Sequence, residues 1–236
     1  MTSIYSEILA SASRGEKLLC ILIDPENFDN NKAEAFLKRM PQNASYLLVG
    51  GSTATAQQTE QTVEALKQHS ELPVILFPGS HEQITEEADA ILFLSLLSGR
   101  NPEYLIGQQI KSVPRLQFSS LEILPTAYIL IDGGKESAVQ RVSKTQPMSR
   151  CEVNLISETA LAGEFSGKNL VYLEAGSGAK IPVGAAIISE VKKTVTIPLI
   201  VGGGIRSKEQ LQEAYDAGAD IVVIGTAFEG NNFVQL

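Results

Sequence analysis

The sequence predicts an α/β fold, a (β/α)₈ TIM barrel that forms a single domain over residues 1–236. Eight short and almost uninterrupted apolar runs recur along the chain, as expected of parallel strands that are buried on both faces. Helix-compatible segments separate these runs, and the last three runs each end in a glycine-rich turn. Such turns at consecutive strand ends are typical of a phosphate pocket at the carboxyl-terminal face of a barrel.

The predicted elements follow the chain in barrel order. The strands cover residues 18–23, 46–49, 74–77, 90–94, 127–131, 170–173, 198–201 and 221–224. The helices cover residues 56–69, 104–111, 151–165, 183–193 and 208–216, with Ser207 as an N-cap. The long connection between the fifth and sixth strands can hold a lid. Residues 228–236 are too few for a full eighth helix, so we expect an abbreviated C-terminal helix.

The composition restricts the compartment and the partners of the protein. A net charge of −8 argues against nucleic-acid binding, which usually needs a basic face. Cys20 and Cys151 form no disulfide framework, which favours a reducing compartment. No apolar run reaches the roughly 18 residues of a membrane span, and the first residues lack the features of a signal peptide. We therefore expect a cytoplasmic protein with no transmembrane segment and at most peripheral lipid contact.

Three glycine-rich turns in the last third of the chain carry the strongest functional signal. They are Gly176-Ser177-Gly178, Gly202-Gly203-Gly204 and Gly225-Thr226, each after an apolar run. Backbone N–H groups beside the start of a helix bind anions, and phosphate above all. Because the three turns follow consecutive strands, we expect them to form one phosphate pocket.

Polar side chains at strand ends are the candidates for chemistry. Asp24 ends the first strand, where a carboxylate can hold Mg²⁺ or simply stabilise the turn. Ser52 and Thr53 end the second strand as candidate magnesium ligands or as N-caps. Glu174 lies two residues after Tyr172, so both side chains face the same side of the sixth strand. Glu174 can accept the proton of a substrate hydroxyl, or it can be structural.

Other reactive groups are sparse in the sequence. His69 and His81 lack metal-ligand spacing, and we expect both to be solvated. The sequence contains no zinc motif, no Ser-His-Asp triad and no redox motif. Arg100 and Lys180 lie near turns, where they are either surface charges or anion contacts.

These segments together resemble the geranylgeranylglyceryl phosphate synthase family, which includes bacterial heptaprenylglyceryl phosphate synthases. The segment of residues 172–178 is highly specific, whereas the Gly-Gly-Gly-Ile-Arg turn is common to many phosphate-binding barrels. The matching segments are Leu22-Ile23-Asp24-Pro25, Leu48-Val49-Gly50-Gly51-Ser52, Leu97-Ser98-Gly99-Arg100-Asn101-Pro102, Tyr172-Leu173-Glu174-Ala175-Gly176-Ser177-Gly178, Val201-Gly202-Gly203-Gly204-Ile205-Arg206 and Gly225-Thr226.

The resemblance implies a Mg²⁺-dependent prenyltransferase. In that family the free hydroxyl of sn-glycerol 1-phosphate attacks C1 of a polyprenyl diphosphate, for which geranylgeranyl diphosphate is our expectation here, and diphosphate leaves. Asp24 and Ser52 would hold the magnesium ion, with Thr53 as a neighbouring alternative, and Glu174 and Asp24 would be the catalytic residues. The implied substrate-binding residues are Tyr172, Leu173, Glu174, Ala175, Gly176, Ser177, Gly178, Gly203, Gly204, Gly225 and Thr226.

The resemblance also implies a homo-oligomer, either a dimer or a hexamer. The segment of residues 97–104 is similar to the branch of the family that forms assemblies larger than a dimer. Candidates for the groove that holds the prenyl tail are Phe93, Leu96, Leu97 and Tyr104, which are equally good core residues. The chain departs from some bacterial members at Leu22, where those members have a phosphate-binding lysine.

Two other functions fit parts of the same pattern. A phosphate-binding barrel isomerase would share the glycine turns, and it would need Asp24 and Asp132 as its acid and base. A non-catalytic phosphate-ligand sensor or assembly scaffold would bind glycerol phosphate without turnover. Dependence on magnesium and on a prenyl diphosphate distinguishes the transferase from both.

Overall fold

The barrel predicted from the apolar runs is confirmed. The computed structural model describes residues 3–225, and its eight parallel strands close in sequence order, with the last strand paired to the first. The strands are β1 (Leu18–Ile23), β2 (Ala44–Val49), β3 (Val74–Leu76), β4 (Ala90–Leu96), β5 (Glu122–Leu130), β6 (Leu170–Glu174), β7 (Leu199–Gly202) and β8 (Ile221–Ile224). Each overlaps a predicted strand, although β2 and β5 begin earlier than expected.

Each of the five predicted helices overlaps a helix of the structure. They are α1 (Ile4–Ser13), α2 (Ala33–Leu37), α3 (Ala56–Lys67), α4 (Gln108–Leu116), α5 (Ala138–Ser143), α6 (Val153–Phe165), α7 (Ala185–Thr194) and α8 (Lys208–Asp216). A π-helical turn over Glu103–Gly107 leads into α4. Ser207 caps α8 as predicted, because its hydroxyl accepts a hydrogen bond from the Gln210 amide at 3.3 Å. The sequence did not predict α1, α2 or α5.

Side chains alternate along the strands between two apolar layers. Tyr46, Tyr128 and Tyr172 belong to the cluster inside the barrel, whereas Leu173 belongs to the cluster between the strands and the helices. Tyr172 and Glu174 therefore point inward from β6, which confirms the shared face inferred from their spacing.

Helix α1 closes the amino-terminal end of the barrel. Its buried Ile4 and Ile8 join the interior cluster. The amides of Ile4 and Tyr5 donate hydrogen bonds to the carboxylate of Glu122, at the start of β5, at 2.6 and 2.9 Å. This carboxylate satisfies N–H groups at the start of the helix and suits the positive end of its dipole.

One connection departs from the predicted alternation of strands and helices. In the described chain, residues 77–89 join β3 to β4 without a helix, so the expectation of eight strand–helix units is wrong here. Pro78 and Gly79 at the start of this segment disfavour a helix. Ile84 and Ile91 consequently line the central cavity.

Two further expectations concern the C-terminal helix and membrane spans. The abbreviated C-terminal helix predicted after residue 228 lies outside the described residues. Among the helices of residues 3–225, none is both long and apolar enough to cross a membrane.

Replacing Ile8 tests whether α1 seals the barrel. Ile8 is 1% exposed, so Ile8→Ala should lose about 2–5 kcal/mol of unfolding free energy through lost burial and a residual cavity. The matched variant Leu9→Ala alters a residue that is 38% exposed on the same helix, and should lose about 1 kcal/mol or less. Urea denaturation measures both values, and equal losses would contradict the sealing role.

Candidate active site

A cavity of about 620 Å³ opens at the carboxyl-terminal face of the barrel. Its lining divides into three sectors, because neighbouring strands bring neighbouring loops together. The glycine-rich sector follows β6, β7 and β8 and contains Glu174, Ser177, Gly178, Gly203, Gly204 and Gly225. The acidic sector follows β1 and β2 and contains Asp24, Glu26, Ser52 and Thr53. The apolar sector lies at β3, β4 and α4 and contains Phe77, Ile84, Ile91, Phe93 and Tyr104.

The loops of the glycine-rich sector have the backbone conformation of an anion site. The φ angles are +97° at Gly176, +63° at Gly178, +84° at Gly203 and +76° at Gly204. L-residues with side chains rarely adopt this region, so glycine is required there. Successive residues in such turns form concave arrays of N–H groups that bind phosphate.

Glu174 is a buried carboxyl group in the glycine-rich sector. It is 5% exposed, and its Oε1 accepts a hydrogen bond from the Gly176 amide at 2.6 Å. Burial raises the pKa of Glu174 to about 7, because the ionised form loses its hydration, and the Gly176 bond opposes this shift only partly. The group can therefore exchange a proton near neutral pH, as a general base requires.

Two glycines at the end of β7 make room for this carboxyl group. A Cβ atom on Gly202 would lie 2.9 Å from Glu174 Oε2 and 2.5 Å from the hydroxyl oxygen of Tyr172. A Cβ atom on Gly203 would overlap Glu174 Oε1 and would lie 2.7 Å from the nitrogen of Gly176. The carboxyl group thus occupies space that any larger residue at these positions would fill.

Tyr172 presents an unsatisfied hydroxyl group to the cavity. This hydroxyl is buried and makes no hydrogen bond of good geometry among the described residues, although it interacts with the Glu174 carboxyl group and opposes the rise in that group's pKa. The ring is held on both sides, stacked on Phe77 at 5.2 Å and edge-to-face with Tyr128 at 5.4 Å between centroids. Leaving a buried hydroxyl unsatisfied costs free energy. A ligand in the cavity would recover that cost by bonding to it.

The acidic sector places a carboxylate among hydroxyl groups. Asp24 Oδ1 accepts a hydrogen bond from the Glu26 amide at 3.1 Å. A Cβ atom on Gly51 would lie 2.5 Å from the same oxygen, so the glycine brings the β2 loop against the carboxylate. Ser52 lines the cavity beside it, and Thr53 Oγ1 donates to Glu26 Oε2 at 2.6 Å. Carboxylate and hydroxyl oxygens are the hard donors that Mg²⁺ prefers.

The apolar sector extends the cavity away from the barrel axis. It runs along β4 to Gln109 and Ser112 of α4, on the side where no helix follows β3. Of the candidates for the tail groove, Phe93, Leu96 and Tyr104 line the cavity and Leu97 does not.

The cavity brings most of the predicted site residues together, but not all of them. Leu173 and Ala175 are buried in the outer apolar layer, so their side chains face away from the cavity. Gly176 is not part of the lining and instead bonds to Glu174. Thr226 lies outside the described residues. The residues that do line the cavity are Asp24, Ser52, Thr53, Tyr172, Glu174, Ser177, Gly178, Gly203, Gly204 and Gly225.

Sequence reasoning missed several residues of the lining, among them Phe77, Tyr128 and His81. Phe77 and Tyr128 hold the ring of Tyr172, and Tyr128 pairs with Tyr172 in the register of β5 and β6. His81, which we expected to be solvated, is half-buried at the cavity, and its amide donates to Gln108 Oε1 at 2.8 Å. No local pattern identifies these residues, because each depends on a neighbour distant in sequence.

The fold is a (β/α)₈ barrel with a cavity and glycine-rich loops at the carboxyl-terminal face. Residues 13–235 match the model of the PcrB family, and the chain belongs to that family. It is 57% identical over 233 residues to a geranylgeranylglyceryl phosphate synthase of Zunongwangia profunda, which covers 99% of this chain and 100% of that protein. The enzyme of the same name from Pyrococcus furiosus is 41% identical over 222 residues, covering 93% and 88% of the two chains.

Solved structures show the same relationship. The (S)-3-O-geranylgeranylglyceryl phosphate synthase of Thermoplasma acidophilum, crystallised with its substrate sn-glycerol-1-phosphate, superposes with a TM-score of 0.91 at 35% identity. The match covers 99% of this chain and 94% of that one. The tryptophan synthase α-subunit of Pyrococcus furiosus, at 12% identity and a TM-score of 0.58, shares the fold alone.

The raised pKa of Glu174 links folding to pH. Between its ordinary value of 4.5 and about 7, only the folded protein keeps the proton on this carboxyl group. The free energy of unfolding should therefore fall by up to about 3 kcal/mol as pH rises through this window. Glu174→Gln, which keeps an uncharged acceptor for the Gly176 amide, should lack this decline.

Denaturant titrations of both proteins across this pH window measure the effect. Contributions of other titrating groups cancel in the difference between the two proteins. The same pH dependence in wild type and Glu174→Gln would contradict a buried carboxyl group with a raised pKa.

Proposed function

We propose that this protein is a prenyltransferase of ether phospholipid biosynthesis. It joins the free hydroxyl of sn-glycerol 1-phosphate to C1 of a polyprenyl diphosphate, with geranylgeranyl diphosphate as the expected substrate, and releases diphosphate. The observation that carries this proposal is a single cavity in which the buried Glu174 adjoins a phosphate-type glycine sector and a separate apolar sector. The named relatives and the complex with sn-glycerol-1-phosphate support the same assignment.

The sector order around the barrel suggests how the two substrates bind. The phosphate of glycerol phosphate fits the N–H groups of the glycine-rich sector. The prenyl chain fits the apolar sector at β4 and α4. The acidic sector follows β1 and β2, and β1 pairs with β8 while β2 pairs with β3. It therefore lies between the other two, where the diphosphate would meet the attacking hydroxyl.

Mg²⁺ is the proposed cofactor, held by Asp24 and by Ser52 or Thr53. Within residues 3–225, no group of three or more His, Cys, Asp or Glu side chains could hold a metal. This sparse donor set fits magnesium, which usually takes one or two protein oxygens and completes its shell with substrate phosphate and water. When bound, the ion would neutralise charge on the leaving diphosphate.

Glu174 is the proposed general base. Its pKa of about 7 leaves a large ionised fraction at neutral pH. The proton of the glycerol phosphate hydroxyl passes to Glu174 as the hydroxyl oxygen bonds to C1 and the bond from C1 to diphosphate breaks. The unsatisfied hydroxyl of Tyr172 is placed to bond to glycerol phosphate, so the nucleophile is oriented before it attacks.

The isomerase alternative fits the cavity less well. It needs Asp24 and Asp132 as opposing acid and base, and Asp132 is not part of the lining. The Asp132 carboxylate instead accepts a hydrogen bond from the Gly134 amide at 2.8 Å. A sugar phosphate also has no apolar chain that could occupy the apolar sector.

The proposal extends to a homo-oligomer, a dimer or a hexamer, that acts in the cytoplasm. The π-helical turn and α4 expose Ile106, Ile110 and Val113 at spacings of one helical turn, and the following Phe118 is 84% exposed. Apolar surface of this kind marks protein–protein contacts. Cys20 and Cys151 are both free thiols, which is compatible with a reducing compartment.

Light scattering of the purified protein measures its mass in solution. We expect the mass of a dimer or a hexamer, because association would cover the exposed side chains of α4. A monomeric mass at micromolar concentration would contradict the proposed assembly.

Turnover with sn-glycerol 1-phosphate, geranylgeranyl diphosphate and Mg²⁺ tests the proposed reaction. We expect an ether product that needs the 1-phosphate isomer rather than the 3-phosphate isomer and that disappears with EDTA. Asp24→Asn should lower kcat about a hundredfold or more, since the diphosphate charge is then poorly neutralised.

Asp132→Asn is the matched control for Asp24→Asn, because the transferase makes no use of Asp132. It should retain turnover, whereas an isomerase would need both carboxylates. No ether product with any prenyl diphosphate from farnesyl to heptaprenyl would refute the transferase. Tight glycerol phosphate binding without turnover would then favour the sensor.

A further inference from the structure

Lys135 lies in the loop between β5 and α5, outside the residues discussed so far. Its ammonium nitrogen is 2.9 Å from the point that a Cβ atom on Gly178 would occupy, so the two residues are in contact. Gly178 in turn lines the glycine-rich sector, whereas Lys135 itself is exposed and lies beside the lining residues rather than among them. The ammonium group has no hydrogen bond or ion pair with any residue in the described chain. A cation without a counter-charge therefore lies against the phosphate-type loop.

Backbone packing fixes the position of this lysine. The amide of Lys180 donates to the carbonyl of Gly133 at 2.9 Å. A Cβ atom on Gly133 would overlap the carbonyl oxygen of Ala175, and one on Gly176 would lie 2.7 Å from Ser137 Cβ. Contacts on both sides of Lys135 thus join its loop to residues 175–180. The fold therefore holds the loop that carries Lys135 against the loop that contains Gly178.

Other side chains near this end of the cavity are already engaged or uncharged. Arg206 Nη2 donates to the carbonyl oxygens of Gly178 and Ala179 at 3.2 and 2.6 Å. Arg141 pairs with Glu136 at 3.6 Å. Strand β1 presents Leu22 beside Gly225, and so supplies no charge there.

We propose that Lys135 binds the phosphate group of sn-glycerol 1-phosphate, together with the backbone N–H groups of the glycine-rich sector. This inference rests on the proposed function. The carboxyl groups of Asp24 and Glu174 line the same cavity, so a positive charge would offset their repulsion of a phosphate group. An ammonium group is a compact point charge that suits phosphate and can bond to any of its oxygens.

Lys135→Met tests this role, because it removes the charge and keeps most of the apolar stem. The KM for sn-glycerol 1-phosphate should rise about tenfold, as expected for one charge-assisted hydrogen bond. The KM for geranylgeranyl diphosphate and kcat should change by less than about twofold. Lys135→Arg should recover most of the loss. The matched control Lys180→Met, in the adjoining loop, should leave all three constants unchanged.

Calorimetric titration keeps the test independent of turnover. Wild type should bind sn-glycerol 1-phosphate, and inorganic phosphate as a simpler probe, about tenfold more tightly than Lys135→Met. The difference should shrink as salt is added. Equal affinities, or parallel increases in both KM values, would overturn the role of Lys135. A charge-dependent loss of phosphate binding in a protein that makes no ether product would support Lys135 and refute the transferase.

Discussion

The close packing of glycine backbone around the Glu174 carboxyl group is the contact on which the active-site face depends. Gly202 and Gly203 leave the space that both carboxyl oxygens occupy, and Gly176 donates to one of them. The same packing removes Glu174 from water and so raises its pKa. It also joins the β6 and β7 loops, which carry the glycines with positive φ angles in and beside the glycine-rich sector. One steric constraint thus sets both the burial of Glu174 and the arrangement of the glycine-rich loops beside it.

This arrangement prepares the site for a ligand, but it lowers the free energy of unfolding. The raised pKa of Glu174 reflects a carboxyl group that the folded protein holds in an unfavourable environment. The unsatisfied hydroxyl of Tyr172 adds a second cost. The surrounding structure offsets both, through the stacked ring of Phe77, the edge contact of Tyr128 and the apolar layers of the barrel. Groups held in this way are preorganised for a ligand.

The connection between β3 and β4 decides what kind of phosphate ligand suits the cavity. A glycine-rich sector alone could bind any small phosphate compound. Because residues 77–89 form no helix, the cavity extends past Ile84 and Ile91 to α4, and a long apolar chain can lie there. The Lys135 loop complements this at the opposite end, where it brings a positive charge to the glycine-rich sector. The cavity thus has an apolar end and a positively charged end on opposite sides of Glu174, which fits the proposed amphipathic product.

The sequence by itself determined the strand order, the barrel class and the positions of Asp24, Glu174 and the glycine turns. These features are local, since continuous apolar runs and strand-end residues are visible within a few positions of each other. Only the tertiary structure decided the partner of α1, because the carboxylate of Glu122 that holds Ile4 lies 118 residues away. The pKa of Glu174 also depends on a different strand, through Gly202 and Gly203. Such contacts are set by chain closure and packing, which no local pattern records.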